Sequence, residues 1–563
     1  ASLLRKTYKI HISNLIRLGY LRVEKREKSK DLVSEYMDEV HTLTLDQEIA
    51  IQSIRECKEN TVLLHGVTGS GKTEVFLQLA DAIVKQGKQV LFLVPEIGLT
   101  PMMIKRVAAR FGNRIAIYHS QLNAQEKYDQ YKLVLDGKVD IVVGTRSSIF
   151  MPFDNLGLIL MDEEHDSSYK QDNMPRYHTR DIALWRANYH NCKVVLASAT
   201  PSLESYARAY KGVYKLVNLK NRINHHMPSI HIVDMKKEKV TNGFSASLLE
   251  AIEDRLSRKE QVILLLNRRG YLPTVRCMDC NEVMTCPDCE IALTYHKKEQ
   301  ALICHCCGRV IPFKNECPKC HSHRFYQLGM GTEKLEEHLQ DFFPDSVILR
   351  MDADSTRNKN AHSRILKEFE EKGDILLGTQ MVAKGLDFKR VTLVGVLQGD
   401  AALIRNDYRS SELAYAMLEQ ASGRSGRANL PGEVYIQTFD PDHYVMKSVY
   451  NHDYLSFFEK EMQYRHLGIY PPYTYLCSII YSHDDLSKLK SKSMEEMDLI
   501  EKCKVLGPIE ISKRLGKARI RYVLKCNSMD ILNSEVWKLS DYHYEHNMSI
   551  KMDITMYPYM LEE

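Results

Sequence analysis

The sequence has no apolar run approaching the ~18 residues that a membrane-spanning helix needs, so no such helix is expected. It opens on Ala1, inside a helix-like run, with no secretory signal pattern, and is expected to lack preceding sequence. Internal repeats and low-complexity tracts are absent, which argues against solenoids and linker-like chains. Net charge is slight, +4 over 563 residues, and by itself identifies no partner. Cysteine is sparse outside one window: five of the 14 lie outside residues 277–320. With no secretory context, a disulfide-stapled domain is not expected. A chain of this length with 44% hydrophobic and 27% charged residues reads as globular, with roughly three to five domains at ~100–200 residues each.

What is present is concentrated. Residues 1–30 carry nine Lys/Arg against two acids, a net +7, leaving −3 for the other 533 residues. Such an opening suits nucleic acid, and equally a solvated surface arm. Residues 66–73 read Gly66-Val67-Thr68-Gly69-Ser70-Gly71-Lys72-Thr73, a full match to G-x-x-x-x-G-K-[ST]. A strand-like Val62–His65 precedes it and a helix-like Glu74–Val84 follows, the context of a phosphate-binding loop. Backbone N–H groups and the helix N-terminus would cradle phosphates, Lys72 would reach the β- and γ-phosphates, and Thr73 would hold Mg²⁺. ATP and Mg²⁺ are therefore the expected ligands.

Ser2–Leu18 has helical periodicity, Gly19 stops it, and Tyr20–Lys25 alternates like a strand. This resembles the end of a winged-helix module. From Leu45 to about Tyr210, apolar strands alternate with helical stretches, which favours a parallel sheet. A second such run follows from Val262 to Thr438, interrupted by the cysteine window. A helical stretch over 445–467 leads to Tyr470-Pro471-Pro472-Tyr473 and a small α+β domain. The expected organisation is α/β. A winged-helix remnant and linker occupy 1–40, and lobe 1 occupies 41–215. Lobe 2 covers 216–273 and 323–440, with a zinc-binding insertion at 274–322. A helical segment and the C-terminal α+β domain fill 441–563.

Asp162-Glu163-Glu164-His165 follows a buried-type strand. In such a sheet the acids face the phosphate site, Asp162 to position Mg²⁺ and Glu163 to orient or deprotonate water. Further on, Tyr169, Lys170, Arg176, Tyr177 and Arg180 interleave rings with cations close to His165, a pattern suited to stacking and holding single-stranded DNA. Half-buried structural tyrosines are the plainer alternative. Four C-x-x-C pairs, Cys277/Cys280, Cys286/Cys289, Cys304/Cys307 and Cys317/Cys320, supply eight thiolates, enough for two closed Cys₄ zinc sites, with redox dithiols as the alternative. Cys306 is expected to be free, and His305 and His321 to be bystanders. The insertion's low apolar content leaves most of its folding energy to the metal.

DEEH followed by Ser198-Ala199-Thr200-Pro201 resembles motifs II and III of superfamily 2 helicases. Pro95–Thr100 resembles motif Ia, Val143–Ser147 motif Ib, Gly378–Phe388 motif V, and Gln420–Arg427 motif VI. The resemblance implies two RecA-like lobes, with Arg424 and Arg427 reaching the γ-phosphate across the cleft and Asp387 of motif V beside the nucleotide. Gln47 falls where an adenine-reading glutamine would lie, or is simply a surface helix residue.

With the zinc-ribbon insertion and the Tyr-Pro-Pro-Tyr turn, the whole chain resembles the PriA-type primosomal replication-restart helicases. That resemblance implies a bacterial, cytoplasmic, nucleoid-associated, 3′→5′ ATP-dependent DNA helicase. It would recognise forked DNA, single-stranded DNA and D-loops. Single-stranded DNA-binding protein, helicase loaders and primosome proteins are its implied partners, and no membrane is. It also implies interleaved zinc pairing: Cys277, Cys280, Cys317 and Cys320 on one ion, Cys286, Cys289, Cys304 and Cys307 on the other. An N-terminal 3′-end-binding domain found in the family is expected to be missing from this sequence. Motif VI departs from the usual QVAGRAGR as QASGRSGR, sparing both arginines, and the preceding segment departs at Gly399–Leu403 and Asn406–Ser410. A fork-binding scaffold with a vestigial ATPase, and an RNA-remodelling ATPase, remain the alternatives.

Overall fold

The computed structural model describes residues 42–558 and 561, apart from 97–100, 224–226, 267–273, 278, 281, 286, 288–292, 297–299, 304–308, 329–330, 353–354, 357–360, 380–381, 383–387, 404–406, 427–430 and 515. The expected winged-helix remnant, Cys286, Cys289, Cys304, Cys307, Asp387 and Arg427 lie outside the described residues.

Lobe 1 carries β1 (Thr61–Gly66), β2 (Gln89–Leu93), β3 (Ile115–Tyr118), β4 (Ile141–Gly144), β5 (Leu156–Met161), β6 (Lys170–Gln171), β7 (Tyr177–His178), β8 (Lys193–Ser198) and β9 (Lys215–Leu219). Seven of them form one sheet in the order β3-β4-β2-β5-β8-β1-β9, parallel throughout, while β6 and β7 form a separate antiparallel hairpin. Successive side chains on a strand point to opposite faces. Here Val62, Leu64, Val90, Phe92, Leu158 and Leu160 enter one core, and Leu63, Leu91, Leu93, Ile159 and Met161 enter the other. Burial on both faces is why these strands are unbroken apolar runs. The sequence reading ended lobe 1 at 215, but β9 pairs with β1 as far as Leu219.

Lobe 2 is a six-stranded parallel sheet with strands in the order 229–234, 433–438, 391–396, 261–265, 375–378 and 348–351. Between the strand Gln261–Leu265 and the helix Thr332–Phe342 lies an antiparallel five-stranded sheet carrying the cysteines. The helical stretch expected over 445–467 is built of two helices, Tyr444–Tyr450 and Tyr454–Leu467. His452 between them has φ 51°, which stops the first, and the Asp453 side chain caps the second by accepting from Ser456 N–H. The C-terminal domain packs the helices Leu486–Met497 and Met529–His546 on a four-stranded antiparallel sheet with its own core.

Candidate active site and metal centre

The loop after β1 reverses direction at Gly69 and Gly71, both at φ 82°, a backbone region that side chains disfavour. Gly71 is also the N-cap of the helix Lys72–Val84, so the helix's positive end faces into the loop. A Cβ on Gly71 would stand 2.1 Å from Gln47 Nε2. Gln47 is buried and both ends of its amide are engaged: Oε1 accepts from Thr44 N–H at 3.0 Å in a capping box, and Nε2 donates to Ser70 O at 3.1 Å. It props the loop from beneath, where the sequence left adenine reading and a surface position open. Lys72 Nζ donates to Gly66 O at 2.6 Å and Val67 O at 3.3 Å. Ser70 Oγ is buried without a hydrogen-bond partner among the described residues.

β5 delivers Asp162 and Glu163 to the same end of the sheet. Asp162 N–H donates to Leu93 O at 3.0 Å, and Asp162 Oδ1 accepts from Glu163 N–H at 3.0 Å. Glu163 has φ 46°, a strained conformation of the kind that clusters at working sites. Enclosure by protein, then the adjacent Glu163 carboxylate, pushes the Asp162 carboxyl up to about 7, against the pull of the Lys72 ammonium. Glu163 Oε2 is buried without a hydrogen-bond partner among the described residues, 3.7 Å from His165 Nδ1. An acidic pair needing a counter-charge, beside a lysine and a helix N-terminus, fits a divalent cation carrying phosphates.

Glu164 plays a part the sequence reading missed. It accepts from Ser202 N–H at 2.6 Å, Ser202 Oγ at 3.1 Å and Ser205 Oγ at 2.9 Å. Arg180 joins this buried cluster through Ser202 Oγ and Ser205 Oγ, each at 3.0 Å. The acidic turn is thereby tied to the segment that follows Ser198-Ala199-Thr200-Pro201. His165 links the lobes: Nδ1 lies 2.7 Å from Ser198 Oγ of lobe 1 and Nε2 lies 2.8 Å from Gln420 Nε2 of lobe 2. At the end of the helix Ser410–Ser422, a Cβ on Gly423 would meet Thr68 at 2.7 Å. Buried Arg424 follows it, and Arg222 Nη1 donates to Ser425 O at 3.3 Å while its side chain lies along Gly69. The phosphate loop, the acidic turn and motif VI therefore meet across the lobes. Arg222 sits in a stretch that carries no motif.

Part of the ring-and-cation segment is placed otherwise than stacking requires. Tyr169 is fully buried, its hydroxyl donating to Asp162 O at 2.6 Å, so it supports the acidic turn and offers no ring face to a base. Lys170 Nζ donates to Met556 O at 3.1 Å, and Arg176 donates to Ile554 O, both on the last strand of the C-terminal domain. Of the two tyrosines only Tyr177 stays partly open, edge-on to the exposed Phe150 ring at 5.0 Å.

In the insertion, Cys277, Cys280, Cys317 and Cys320 place their sulfurs within 4.8 Å of one another, with Cys277–Cys320 and Cys280–Cys317 both at 3.5 Å. Four thiolates at Zn–S ≈ 2.3 Å in a tetrahedron stand about 3.8 Å apart, so the set fits zinc. Two knuckles hold them: Cys277 N–H donates to Glu282 O at 2.8 Å, and Cys317 N–H donates to Ser322 O at 2.9 Å. Val275, Met284, Leu293 and Leu302 form a small core around Cys277 and Cys317, more apolar support than the composition promised.

Comparison with known proteins agrees with this architecture. DEAD/DEAH box helicases match residues 44–209, the helicase conserved C-terminal domain matches 321–429, and the PriA DNA helicase Cys-rich region domain matches 286–312. Two helicase domains of parallel sheets with a cysteine-rich insertion define the class, an ATP-dependent DNA helicase. Replication restart protein PriA of Bacillus subtilis is 44% identical, with 98% of this chain and 71% of that protein covered. The Synechocystis protein of the same name is 42% identical over 82% of this chain and 58% of its own length. A solved structure of RecG bound to a three-way DNA junction is similar at 18% identity, TM-score 0.44, covering 75% of this chain and 46% of RecG. The chain belongs to the replication restart protein PriA family, and it spans 71% and 58% of these two relatives. No helix among the described residues is long and apolar enough to cross a membrane.

Proposed function

We propose that this chain is the motor of a 3′→5′ DNA helicase. It acts on stalled forks and D-loops and promotes reloading of the replicative helicase together with single-stranded DNA-binding protein and primosome proteins, in the bacterial cytoplasm. The observation that carries this reading is the meeting of Gly423 with Thr68, which sets the motif VI turn against the phosphate loop. Lys72 leaves its loop carbonyls for the β- and γ-phosphates of ATP. Thr73 and Asp162 hold Mg²⁺, which neutralises phosphate charge when bound. Glu163 orients the attacking water and takes its proton, its Oε2 having no hydrogen-bond partner among the described residues. Arg424, with Arg427, stabilises charge on the γ-phosphate, and Asp387 lies beside the nucleotide. Hydrolysis is then reported to lobe 2 through His165 and Gln420. Two zinc ions complete the insertion, the second on Cys286, Cys289, Cys304 and Cys307.

The test compares ATP hydrolysis with no nucleic acid, single strands, duplex, forked DNA and single-stranded RNA. Forks carrying one single-stranded arm of each polarity are then unwound. Forked or single-stranded DNA should stimulate most, and unwinding should require the 3′ arm. Equal stimulation by RNA would favour the RNA-remodelling alternative, and fork binding with no hydrolysis would favour the scaffold.

A further inference from the structure

The helix Ser410–Ser422 touches lobe 1 at both ends. Its far end brings Gln420 to His165 and Gly423 to Thr68. Its first turn carries Glu412, whose Oε1 accepts the Leu203 N–H of lobe 1 at 3.1 Å. The other Glu412 oxygen is held by Arg465, which belongs to neither sheet but to the helix Tyr454–Leu467.

Arg465 is 2% exposed and engages all three nitrogens. Nη2 donates to Glu412 Oε2 at 3.0 Å, Nε to Glu461 Oε1 at 2.9 Å, and Nη1 to Pro471 O at 2.9 Å. Its Cζ stands 4.7 Å from the Tyr408 ring centre, and Tyr408 stacks on Tyr470 at 5.1 Å and 4°. Next to Glu412, Arg409 pairs with Glu204 on the lobe 1 helix Leu203–Tyr210. One guanidinium thus sets lobe 2 against lobe 1 and both against the Tyr-Pro-Pro-Tyr turn.

A buried ion-pair cluster is weak support for stability, because desolvation offsets the attraction. What a planar guanidinium fork supplies is fixed geometry, which a lysine does not reproduce. We propose that Arg465 is a positioning residue for nucleotide turnover. Through Glu412 it fixes where the Ser410–Ser422 helix lies on lobe 1, and so where Arg424 stands over the phosphate loop. This rests on the reading of Arg424 given above. All three Arg465 nitrogens are engaged by Glu461, Pro471 and Glu412, away from the phosphate loop, so its effect falls on kcat and leaves KM.

The experiment uses the full chain loaded with zinc and measures Tm, kcat and KM for ATP with saturating single-stranded DNA. Arg465→Lys keeps the charge and loses the fork. It should lower kcat about tenfold to a hundredfold, the scale of a misplacement on the order of 1 Å, with KM within about threefold. A triple variant, Arg465→Met with Glu412→Gln and Glu461→Gln, leaves no unpaired buried carboxylate, while residue 412 still accepts from Leu203. It should regain Tm to within about 2 °C of wild type yet keep the kcat loss. Wild-type kcat in Arg465→Lys, recovery of kcat together with Tm in the triple variant, or a change confined to KM would each overturn the inference. A wild-type chain without DNA-stimulated hydrolysis would strike the functional reading itself, which separates the two failures.

Discussion

The phosphate loop and the cysteine insertion are both tight turns that aim side chains at a small volume, but they are held by different means. The loop hangs from a seven-stranded sheet with a packed core on each face. Its glycines, Lys72 and Asp162 lie outside both of those cores and carry the chemistry proposed above. Among the described residues, the insertion's core holds six buried side chains, two of which are the thiols Cys277 and Cys317. There the metal ligands are part of the core, so chemistry and folding cannot be separated. The difference is one of scale: binding free energy for structural zinc, about 10–16 kcal/mol, exceeds what so few apolar side chains supply at ~1.5–3 kcal/mol each.

Cys317→Ser probes the weaker region and should have the largest effect. The chain should lose one zinc of the two expected, by elemental analysis, and the 274–328 sheet should become protease-sensitive. ATP hydrolysis without nucleic acid should persist, because among the described residues the lobe cores include none from the insertion. If hydrolysis collapses as well, the insertion is not energetically separate and the contrast fails.

Lys72→Ala is the converse. Its Nζ donates to the loop carbonyls of Gly66 and Val67, and its side chain is in neither lobe 1 core, so Tm should move by less than about 2 °C. Loss of a charge-stabilising donor should reduce ATP turnover by about 10²–10³-fold, while fork binding by gel shift remains. Parallel loss of turnover and Tm would mean that this lysine, like the thiols, is a structural member.

The same contrast governs what could be read from sequence. The loop was legible because phosphate binding demands glycines and a lysine at fixed spacing, and the thiols because metal binding demands repeated C-x-x-C. The parallel sheets were legible from unbroken apolar runs. Glu164 was not, since its partners Ser202 and Ser205 lie 38 and 41 residues away. The stacking role of Tyr169 was misassigned because an alternation of rings and cations looks alike whether the rings face solvent or core. Lys170 and Arg176 find their carbonyl partners 386 and 378 residues downstream, which no local pattern announces. The two pieces of the buried cluster on Glu412 and Arg465 are 53 residues apart. Local chemistry was therefore readable, and the joints between domains were not.

The smallest predicted effect concerns His65, on β1 directly before the loop. Burial first, then the Lys72 charge, holds its imidazole down at about 4, against its bond to Ala199 O at 3.2 Å. It packs edge-on to Tyr206 and Tyr454, which leaves the ring only partly open to solvent. A folded pKa below the unfolded value of ~6.5 means the unfolded chain binds the extra proton between about pH 4 and pH 6.5. Stability contributed by the neutral ring is therefore complete above about pH 6.5 and falls as pH is lowered through that window. The loss is about 1.4 kcal/mol at pH 5.5, where the unfolded histidine is mostly protonated and the folded one is not. His65→Gln keeps a donor for Ala199 O and cannot titrate. Denaturant unfolding at pH 7.5 and 5.5 should show wild type losing about 1.4 kcal/mol more than His65→Gln between the two pH values, because every other group titrates alike in both. An identical pH dependence would show that the strand beneath the loop opens enough to hydrate its histidine, and that the phosphate loop rests on a less rigid base than its two cores imply.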